Sequence, residues 1–277
     1  MAKNWISPQD LHARLEDPDL RIFDVRADLM DHGLGRRSYL EGHLPGAQFL
    51  DLETDLSGPR GVHGGRHPLP DPERLAVRLG ELGVSECSDV VVYDASGGSF
   101  AARAWWLLRY LGHDRVRLLD GGLPAWQQAG YALTTDIPTP APARFVARPR
   151  PELLASLEEV RAAGHDPQVA LIDARAPERY RGEVEPIDPR AGHIPGAINR
   201  PFAANLEAGR FRSEATLRAR FADLEDYRDR IVYCGSGVTA AHNLAVLDEL
   251  GISARLYAGS FSDWASHPEL EVRAGAE

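Results

Sequence analysis

One cysteine of the chain, Cys234, lies in the sequence IVYCGSGVTAAHN, between an apolar run typical of a strand and a stretch typical of a helix. A loop that joins a strand to a helix presents several backbone N–H groups, and the helix N-terminus adds partial positive charge. Such a loop stabilises an anion, including the thiolate form in which cysteine is nucleophilic. Gly235 and Gly237 let the backbone curl, while the hydroxyls of Ser236 and Thr239 can donate to the sulfur or cap the helix. The stretch therefore predicts a nucleophilic thiolate.

A purely structural interpretation of this cysteine is also open. Free cysteine often behaves as a small buried hydrophobic residue, and glycines are common in strand-to-helix turns that have no catalytic role. The second cysteine, Cys87, lies in the polar sequence GVSECSDV and is predicted to be incidental. Two cysteines are too few for a disulfide framework or for a zinc site built from cysteine, and we expect no metal.

The sequence contains one internal repeat, and the two copies differ at the position of the cysteine. The sequence GHLPGA around His43 returns as GHIPGA around His193, VVVYDASGGSF returns as RIVYCGSGVTA, and LLDGGLPAW returns as RLYAGSFSDW. The echoes keep the same order, so they indicate a duplicated domain, and the histidine turns present in both copies are predicted to be structural. Asp94 in the first copy stands where the second has Cys234. Because a carboxylate cannot carry sulfur, we expect only the second copy to perform chemistry.

Each copy alternates short β-rich runs with helical patterns, which predicts an α/β fold with a parallel sheet flanked by helices. Ligands of such folds bind beyond the carboxyl ends of the strands, where Cys234 would lie. The sequence TTDIPTPAPARFVARPRPE is rich in proline and lacks apolar periodicity, so it is predicted to be a linker. We therefore expect a non-catalytic domain over 1–133, a linker over 134–152 and a catalytic domain over 153–277.

The tandem copies, the GHLPGA and GHIPGA pair and the loop CGSGVTA together resemble the two-domain rhodanese sulfurtransferases over nearly the whole chain. The resemblance implies that Cys234 accepts a sulfane sulfur as a persulfide and passes it to cyanide or a thiol, without any cofactor. Thiosulfate sulfurtransferases of the animal type have a loop similar to CRKGVT, in which two cations face the dianion. Gly235 and Ser236 at those positions resemble 3-mercaptopyruvate sulfurtransferases, whose donor is a monoanionic keto acid.

The resemblance also implies further residues that act with the cysteine. Ser236 would help to protonate the departing enolate, with His67 of GGRHPLP and Glu53, at the place of an aspartate, completing a relay. Arg179 and Arg103 would bind the substrate carboxylate. The loop positions assigned to substrate binding are Gly235, Gly237, Val238 and Thr239. A second arginine of the family has no clean match, because the chain reads GEVEPIDPRAGH, where only Arg190 is available.

Other activities stay open at this point. Thiosulfate as the donor would use the same cysteine, and many bacterial members with a GEVEPIDP stretch are labelled thiosulfate sulfurtransferases. A phosphatase of related fold needs a Cys-x5-Arg loop, but the position of that arginine holds Ala240, so this activity is not favoured. A non-catalytic tandem binding module is a further alternative, which the intact cysteine loop argues against.

Composition restricts the partners. The 277 residues carry a net charge of −10 with 43% hydrophobic residues, which indicates a globular protein and disfavours nucleic acid or an anionic membrane as the main partner. The chain starts without an apolar signal sequence and has no long apolar run, which favours a cytoplasmic location. We expect a monomer that acts on small sulfur donors and on cyanide, thiols or a thioredoxin-like protein acceptor.

Overall fold

The computed structural model describes residues 4–276, which form two compact units. The first unit contains the residues up to Gly58 together with Pro70–Arg150 and Ala208–Phe211. The second contains Pro59–Leu69, Pro151–Glu207 and the residues from Arg212 onward. Each unit therefore includes a short segment from the other half of the sequence, a feature that the repeat alone does not reveal.

The first unit is built on a parallel sheet with the strand order β1-β5-β4-β2-β3. Its strands are β1 (Trp5–Ile6), β2 (Leu20–Asp24), β3 (Ala47–Phe49), β4 (Asp89–Tyr93) and β5 (Val116–Leu119), and its helices are α1 (Pro8–His12), α2 (Leu34–Glu41), α3 (Pro72–Glu81), α4 (Ala101–Tyr110) and α5 (Gly122–Gln128). The predicted strands RIFDV, VVVYD and VRLLD correspond to β2, β4 and β5.

The second unit repeats this arrangement with the strand order β11-β10-β6-β7, again parallel. Its part of the chain holds α6 (Leu157–Ala163), β6 (Val169–Asp173), α7 (Pro177–Tyr180), β7 (Ala197–Asn199), β8 (Leu206–Glu207), α8 (Glu214–Phe221), β10 (Asp229–Tyr233), α9 (Ala240–Glu249), β11 (Arg255–Leu256) and α10 (Ser260–Trp264), with 3-10 helices at Pro151–Leu153, Phe202–Asn205 and Ala222–Leu224. The two-residue strand β9 (Arg210–Phe211) belongs to the first unit. In the first unit β1 pairs with the edge of β5, and in the second unit a single parallel bridge from Leu154 to Leu256 of β11 takes the corresponding position. The predicted fold class is confirmed.

Local sequence explains where the elements start and why they stay in place. The side chain of Asp71 accepts a hydrogen bond from the N–H of Arg74 and caps α3, whose first residue is Pro72. Leu75 and Leu79 then fall on the buried face of this helix. Three consecutive valines make β4 an uninterrupted apolar strand, as expected of a parallel sheet covered on both faces.

The repeated polar residues hold the strand ends of both units. The hydroxyl of Tyr93 donates to Asp24 (2.7 Å) and accepts from the N–H of Leu44 (3.2 Å), and Tyr233 accepts from the N–H of Ile194 at the same distance. Because burial disfavours the phenolate, and the neighbouring aspartate adds to this, the pKa of Tyr93 lies well above its usual value. These tyrosines therefore act as neutral hydrogen-bonding residues.

The two repeated histidines also have structural contacts. His43 stacks on the ring of Tyr39, and its Nδ1 lies 2.7 Å from the carbonyl oxygen of Tyr39. His193 makes the same stack on Tyr180, with Nδ1 2.8 Å from the carbonyl oxygen of that residue. The matching contacts agree with the structural role predicted for both turns. Over residues 4–276, none of the helices combines the length and apolarity that a membrane span requires.

Candidate active site

Cys234 directly follows the last residue of β10, six residues before α9 begins. The residue is buried. Its N–H donates to Oγ of Ser260 (3.1 Å), and its carbonyl oxygen accepts from the N–H of Phe261 (2.9 Å). The backbone of the cysteine is thus fixed on both sides by the first turn of α10, so the thiol has a defined position at the carboxyl end of the sheet.

Ser260 holds this position at a conformational cost. Its φ of 55° lies in the left-handed region, which is unusual for a residue with a Cβ atom. The side chain is fully buried, and its Oγ donates to the carbonyl oxygen of Tyr257 (2.9 Å) while accepting from Cys234. Strain of this kind persists only where surrounding contacts over-determine the backbone. The bond to the cysteine N–H is one of those contacts.

The cysteine loop also needs glycine at position 237. Gly237 has a φ of +73°, and a Cβ atom at this position would lie 2.4 Å from the carbonyl oxygen of Ala258. Val238 is buried, and Thr239 occupies the N-cap position of α9 without a capping hydrogen bond from its side chain. Of the two roles predicted for the Thr239 hydroxyl, the cap is therefore not made.

The corresponding loop of the first unit, which is one residue longer, binds a carboxylate. One carboxylate oxygen of Asp94 accepts from the N–H groups of Ser96 (2.8 Å) and Gly98 (2.9 Å). The other accepts from the N–H groups of Phe100 (2.8 Å) and Ala101 (2.9 Å). Four backbone donors thus converge on an anion at the position that Cys234 occupies in the second unit. In the first unit, the loop between the strand and the helix is thus an anion site, and anion stabilisation by the cysteine loop stays a prediction.

Ser236 and His67 lie side by side in the second unit. Nδ1 of His67 is 2.7 Å from Oγ of Ser236, although the two residues are 169 positions apart, and both are almost completely buried. His67 comes from the segment Pro59–Leu69, which belongs to this unit. The segment is fastened to α10, because the N–H of Arg66 donates to Oγ of Ser262 (3.1 Å) and that of Gly64 donates to Asp263 (2.7 Å). The predicted serine and histidine are thereby brought together.

Two guanidinium groups face the loop at Gly235. A Cβ atom on Gly235 would lie 2.9 Å from Nη2 of Arg66 and 3.5 Å from Nη1 of Arg179. Arg179 was a predicted site residue, whereas Arg66 was missed. The available signal was its place next to His67 in GGRHPLP, because a residue adjacent to a site residue on a folded loop often shares its site.

Both arginines are paired with buried carboxylates from the GEVEPIDP stretch. Arg179 donates through Nη2 to Glu185 (2.7 Å) and Asp188 (3.1 Å), and Arg66 donates through Nη1 to the other oxygen of Asp188. Burial raises the pKa of Asp188, with repulsion from Glu185 adding to it and Arg66 opposing it. Burial also acts to raise the pKa of Glu185, but the hydrogen bonds from Arg179 and the N–H of Asp188 bring it below its usual value.

The other predicted site residues have different surroundings. Arg103 is completely buried in the first unit, where Nε and Nη2 lie 3.4 Å from the carbonyl oxygen of Leu56. Glu53 belongs to the same unit, and its carboxylate lies 3.7 Å from Nδ1 of His32. Arg190 in the second unit donates to the carbonyl oxygen of His267 (3.2 Å). A part for Arg103 in substrate binding, or for Glu53 in the relay, stays a prediction.

Among the described residues, one group has its potential metal-ligand atoms within 4.8 Å of one another, namely His63, Asp263 and His267. The two imidazole rings stack face to face, with centroids 4.0 Å apart and planes inclined by 12°. A ring nitrogen binds a metal along its lone pair, in the plane of the ring. The lone pairs of two stacked rings lie in separate, nearly parallel planes and do not converge, so the two imidazoles do not bind one ion together in this arrangement.

Comparison with known proteins assigns the chain and its fold to a family. The rhodanese-like domain matches the chain twice, over residues 7–129 and 156–267. The chain is 50% identical over 278 residues to a Pseudomonas aeruginosa protein named "Probable 3-mercaptopyruvate sulfurtransferase", covering 98% of each. It is 33% identical to "Thiosulfate/3-mercaptopyruvate sulfurtransferase 1, mitochondrial" of Arabidopsis thaliana, covering 96% of this chain and 77% of that protein.

A solved structure extends the likeness to the whole fold. The crystal structure of SseA from Escherichia coli, described as a 3-mercaptopyruvate sulfotransferase, superimposes with a TM-score of 0.83 at 35% identity. The match covers 94% of this chain and all of that one. The chain therefore belongs to the rhodanese family, with two rhodanese-like domains in tandem. Within that family it is an enzyme of the sulfurtransferase class, as the resemblance predicted.

Proposed function

We propose that the protein transfers sulfur from 3-mercaptopyruvate to a thiophilic acceptor through a persulfide on Cys234. The observation that carries this proposal is the buried hydrogen-bonded pair of His67 and Ser236. Ser236 lies two positions after Cys234 in the sequence. Thiosulfate releases sulfite, which needs no proton, whereas mercaptopyruvate releases an enolate that must be protonated at carbon. A hydroxyl in hydrogen-bond contact with an imidazole supplies that proton, so the pair favours the keto acid as donor.

In the first step the Cys234 thiolate attacks the sulfur of 3-mercaptopyruvate. The new S–S bond forms as the C–S bond breaks, and the electron pair of the C–S bond passes to the carbon as the enolate of pyruvate. Ser236 and His67 deliver a proton to that carbon, so that pyruvate leaves. Arg179 binds the carboxylate of the donor and keeps its sulfur in line with the thiolate.

In the second step the acceptor attacks the outer sulfur of the persulfide. Cyanide leaves as thiocyanate, a thiol leaves as a persulfide of its own, and Cys234 returns to the thiolate. The backbone N–H groups of the loop stabilise the persulfide anion, which is supported by the four N–H bonds that the equivalent loop makes to Asp94.

Thiosulfate is the second candidate donor. Two guanidinium groups beside Gly235 favour anion binding of either kind, and a relative is named for both donors. We further propose that the protein acts as a monomer in the cytoplasm, where a reducing environment keeps Cys234 as a thiol, and that a thioredoxin-like protein is one of its acceptors.

The deciding experiment compares Cys234→Ser with Cys87→Ser. Mass spectrometry after exposure to 3-mercaptopyruvate is expected to find one added sulfur atom on the wild-type protein and on Cys87→Ser, but none on Cys234→Ser. Cys87 is an exposed free cysteine, so it controls for unspecific sulfuration. Addition of sulfur to folded Cys234→Ser would contradict the mechanism, and a wild-type protein that accepts sulfur from neither donor would point to a binding module.

A further inference from the structure

We infer that Asp188, together with Glu185, sets the charge beside Gly235 and thereby selects a singly charged sulfur donor over a doubly charged one. The inference rests on the proposed function and deepens it, because it assigns a specificity-determining role to two carboxylates. It also assigns donor binding to Arg66, at a site whose second arginine the sequence left without a match.

Both arginines keep a guanidinium nitrogen close to the loop while they bind the carboxylates. Arg66 contacts Asp188 through Nη1 and approaches Gly235 through Nη2. Arg179 uses Nε and Nη2 for its carboxylates, while Nη1 is its atom closest to Gly235. Arg66 thus divides its two Nη atoms between Asp188 and the loop, whereas Nη2 of Arg179 faces the acids and also lies 3.7 Å from the position of a Cβ atom on Gly235. An anionic donor would meet two positive edges there.

The local charges nevertheless cancel. Arg175 pairs with Asp173 (2.7 Å) and reaches Glu185 (3.3 Å), and so joins the network that contains Arg66 and Arg179. The network then holds three arginines against three carboxylates, Asp173, Glu185 and Asp188. Because the network has no net positive charge, the acids behind the arginines weaken the attraction that each additional negative charge on the donor gains from the arginine nitrogens.

Burial makes this balance effective. The side chain of Asp188 is 2% exposed and that of Glu185 is 3% exposed, so water and salt screen them weakly. Asp188 also bridges the two arginines, with Oδ1 on Arg66 and Oδ2 on Arg179. Loss of its charge would leave the network with one net positive charge in a place of low effective dielectric. A doubly charged donor such as thiosulfate gains more from that change than a singly charged one does.

Protonation of Asp188 has the same electrostatic effect as its replacement by asparagine. The groups that face this carboxylate are Arg66, Arg175 and Arg179 on the positive side and Glu185 on the negative side. Burial raises the pKa of Asp188, so its charge is lost at a higher pH than that of an ordinary aspartate. As the pH falls, the ratio of kcat/KM for thiosulfate to kcat/KM for mercaptopyruvate should therefore rise in the wild-type protein.

The test measures this ratio, with cyanide as the acceptor, for Asp188→Asn, Arg66→Gln and the control Asp226→Asn. Asp226 is an exposed acid just before β10, at the end of that strand opposite to Cys234. We expect the ratio to rise about tenfold in Asp188→Asn, to fall in Arg66→Gln, and to stay at the wild-type value in Asp226→Asn. Opposite changes of the ratio in Asp188→Asn and Arg66→Gln would indicate an effect of charge, because structural damage would lower the rates with both donors together.

Equal loss with both donors in Asp188→Asn and Arg66→Gln would overturn the inference, as would a rise in Asp226→Asn. If Asp188→Asn fails to fold, the pH profile of the wild-type ratio decides, and a flat profile between about pH 4 and 8 would count against the inference. Cys234→Ser in the same assay separates the two proposals. Sulfur transfer that persists in Cys234→Ser refutes the proposed function. Transfer that depends on the cysteine, with an unchanged ratio in Asp188→Asn, refutes only the selection of the donor by Asp188.

Discussion

Nδ1 of His67 lies 2.7 Å from Oγ of Ser236, and neither side chain has appreciable contact with solvent. A hydroxyl in this setting can pass a proton through the imidazole without exchange with bulk water. The pair is therefore suited to a step that needs one proton at one atom, and its effect should depend on which donor is used.

Ser236→Ala should lower kcat with 3-mercaptopyruvate by roughly a hundredfold and leave kcat with thiosulfate within a few-fold of wild type. The reason is that only the enolate of pyruvate needs a proton. Steady-state rates with both donors check this, and His67→Gln should show the same donor dependence. An equal loss with both donors would mean that the pair supports the loop and does not move a proton.

Gly237→Ala should destabilise the second unit more than Gly251→Ala does. Both glycines have a positive φ, +73° and +76°, so each alanine carries a left-handed penalty of about 1–2 kcal/mol. At Gly237 the new Cβ would also lie 2.4 Å from the carbonyl oxygen of Ala258, whereas at Gly251 it would meet no atom within 4 Å. We expect roughly 3 kcal/mol or more for Gly237→Ala, measured by denaturant unfolding. Similar losses for the two variants would contradict the close approach.

Ser260→Gly and Ser260→Ala separate strain from hydrogen bonding at the cysteine. Both variants remove the Oγ that accepts from the N–H of Cys234, but only glycine relieves the φ of 55°. Ser260→Ala should therefore be less stable than Ser260→Gly by about 1 kcal/mol, while both lose part of kcat because the cysteine backbone is less well held. Thermal unfolding and sulfur-transfer rates check the two parts. Full activity in both variants would show that the bond is dispensable.

Asp94→Asn should destabilise the first unit by about 3 kcal/mol. The carboxylate accepts four backbone hydrogen bonds, and the amide group of asparagine would place N–H donors against two of those N–H groups. Asp226→Asn, an exposed counterpart, should stay within about 0.5 kcal/mol of the wild type. Urea unfolding measures both values. A small effect of Asp94→Asn would argue against the tight anion site that the loop displays.

The sequence predicts the two sheets well because their signal is local. The apolar runs of β2, β4, β6 and β10 and the stop of α9 before Gly251 can be found within a few residues of each feature. The position of Cys234 at a strand end follows from the same reasoning. The internal repeat then adds the comparison with Asp94, and this comparison of residue types is the basis for predicting which copy is reactive.

The rest of the site depends on contacts between distant segments. Arg66 meets Asp188 across 122 positions, and periodicity within either segment contains no sign of this pairing. The acids of GEVEPIDP are polar residues in a loop, which sequence alone interprets as exposed, although Asp188 is buried. The left-handed Ser260 was missed for a similar reason, since serine normally avoids that conformation and its bond to Cys234 joins residues 26 positions apart.

The segment Pro59–Leu69 is separated in sequence from the remainder of its unit, which resumes at Pro151. During synthesis, domains generally fold from the N-terminus as the chain emerges from the ribosome. Arg66 and His67 therefore leave the ribosome with the first half of the protein. Their contacts with Asp188 and Ser236 can form only after those residues have been translated. A nascent chain that stops at the proline-rich linker contains no working centre, and a fragment that starts there lacks both residues. The proposed site is in this sense complete only in a chain that contains both halves.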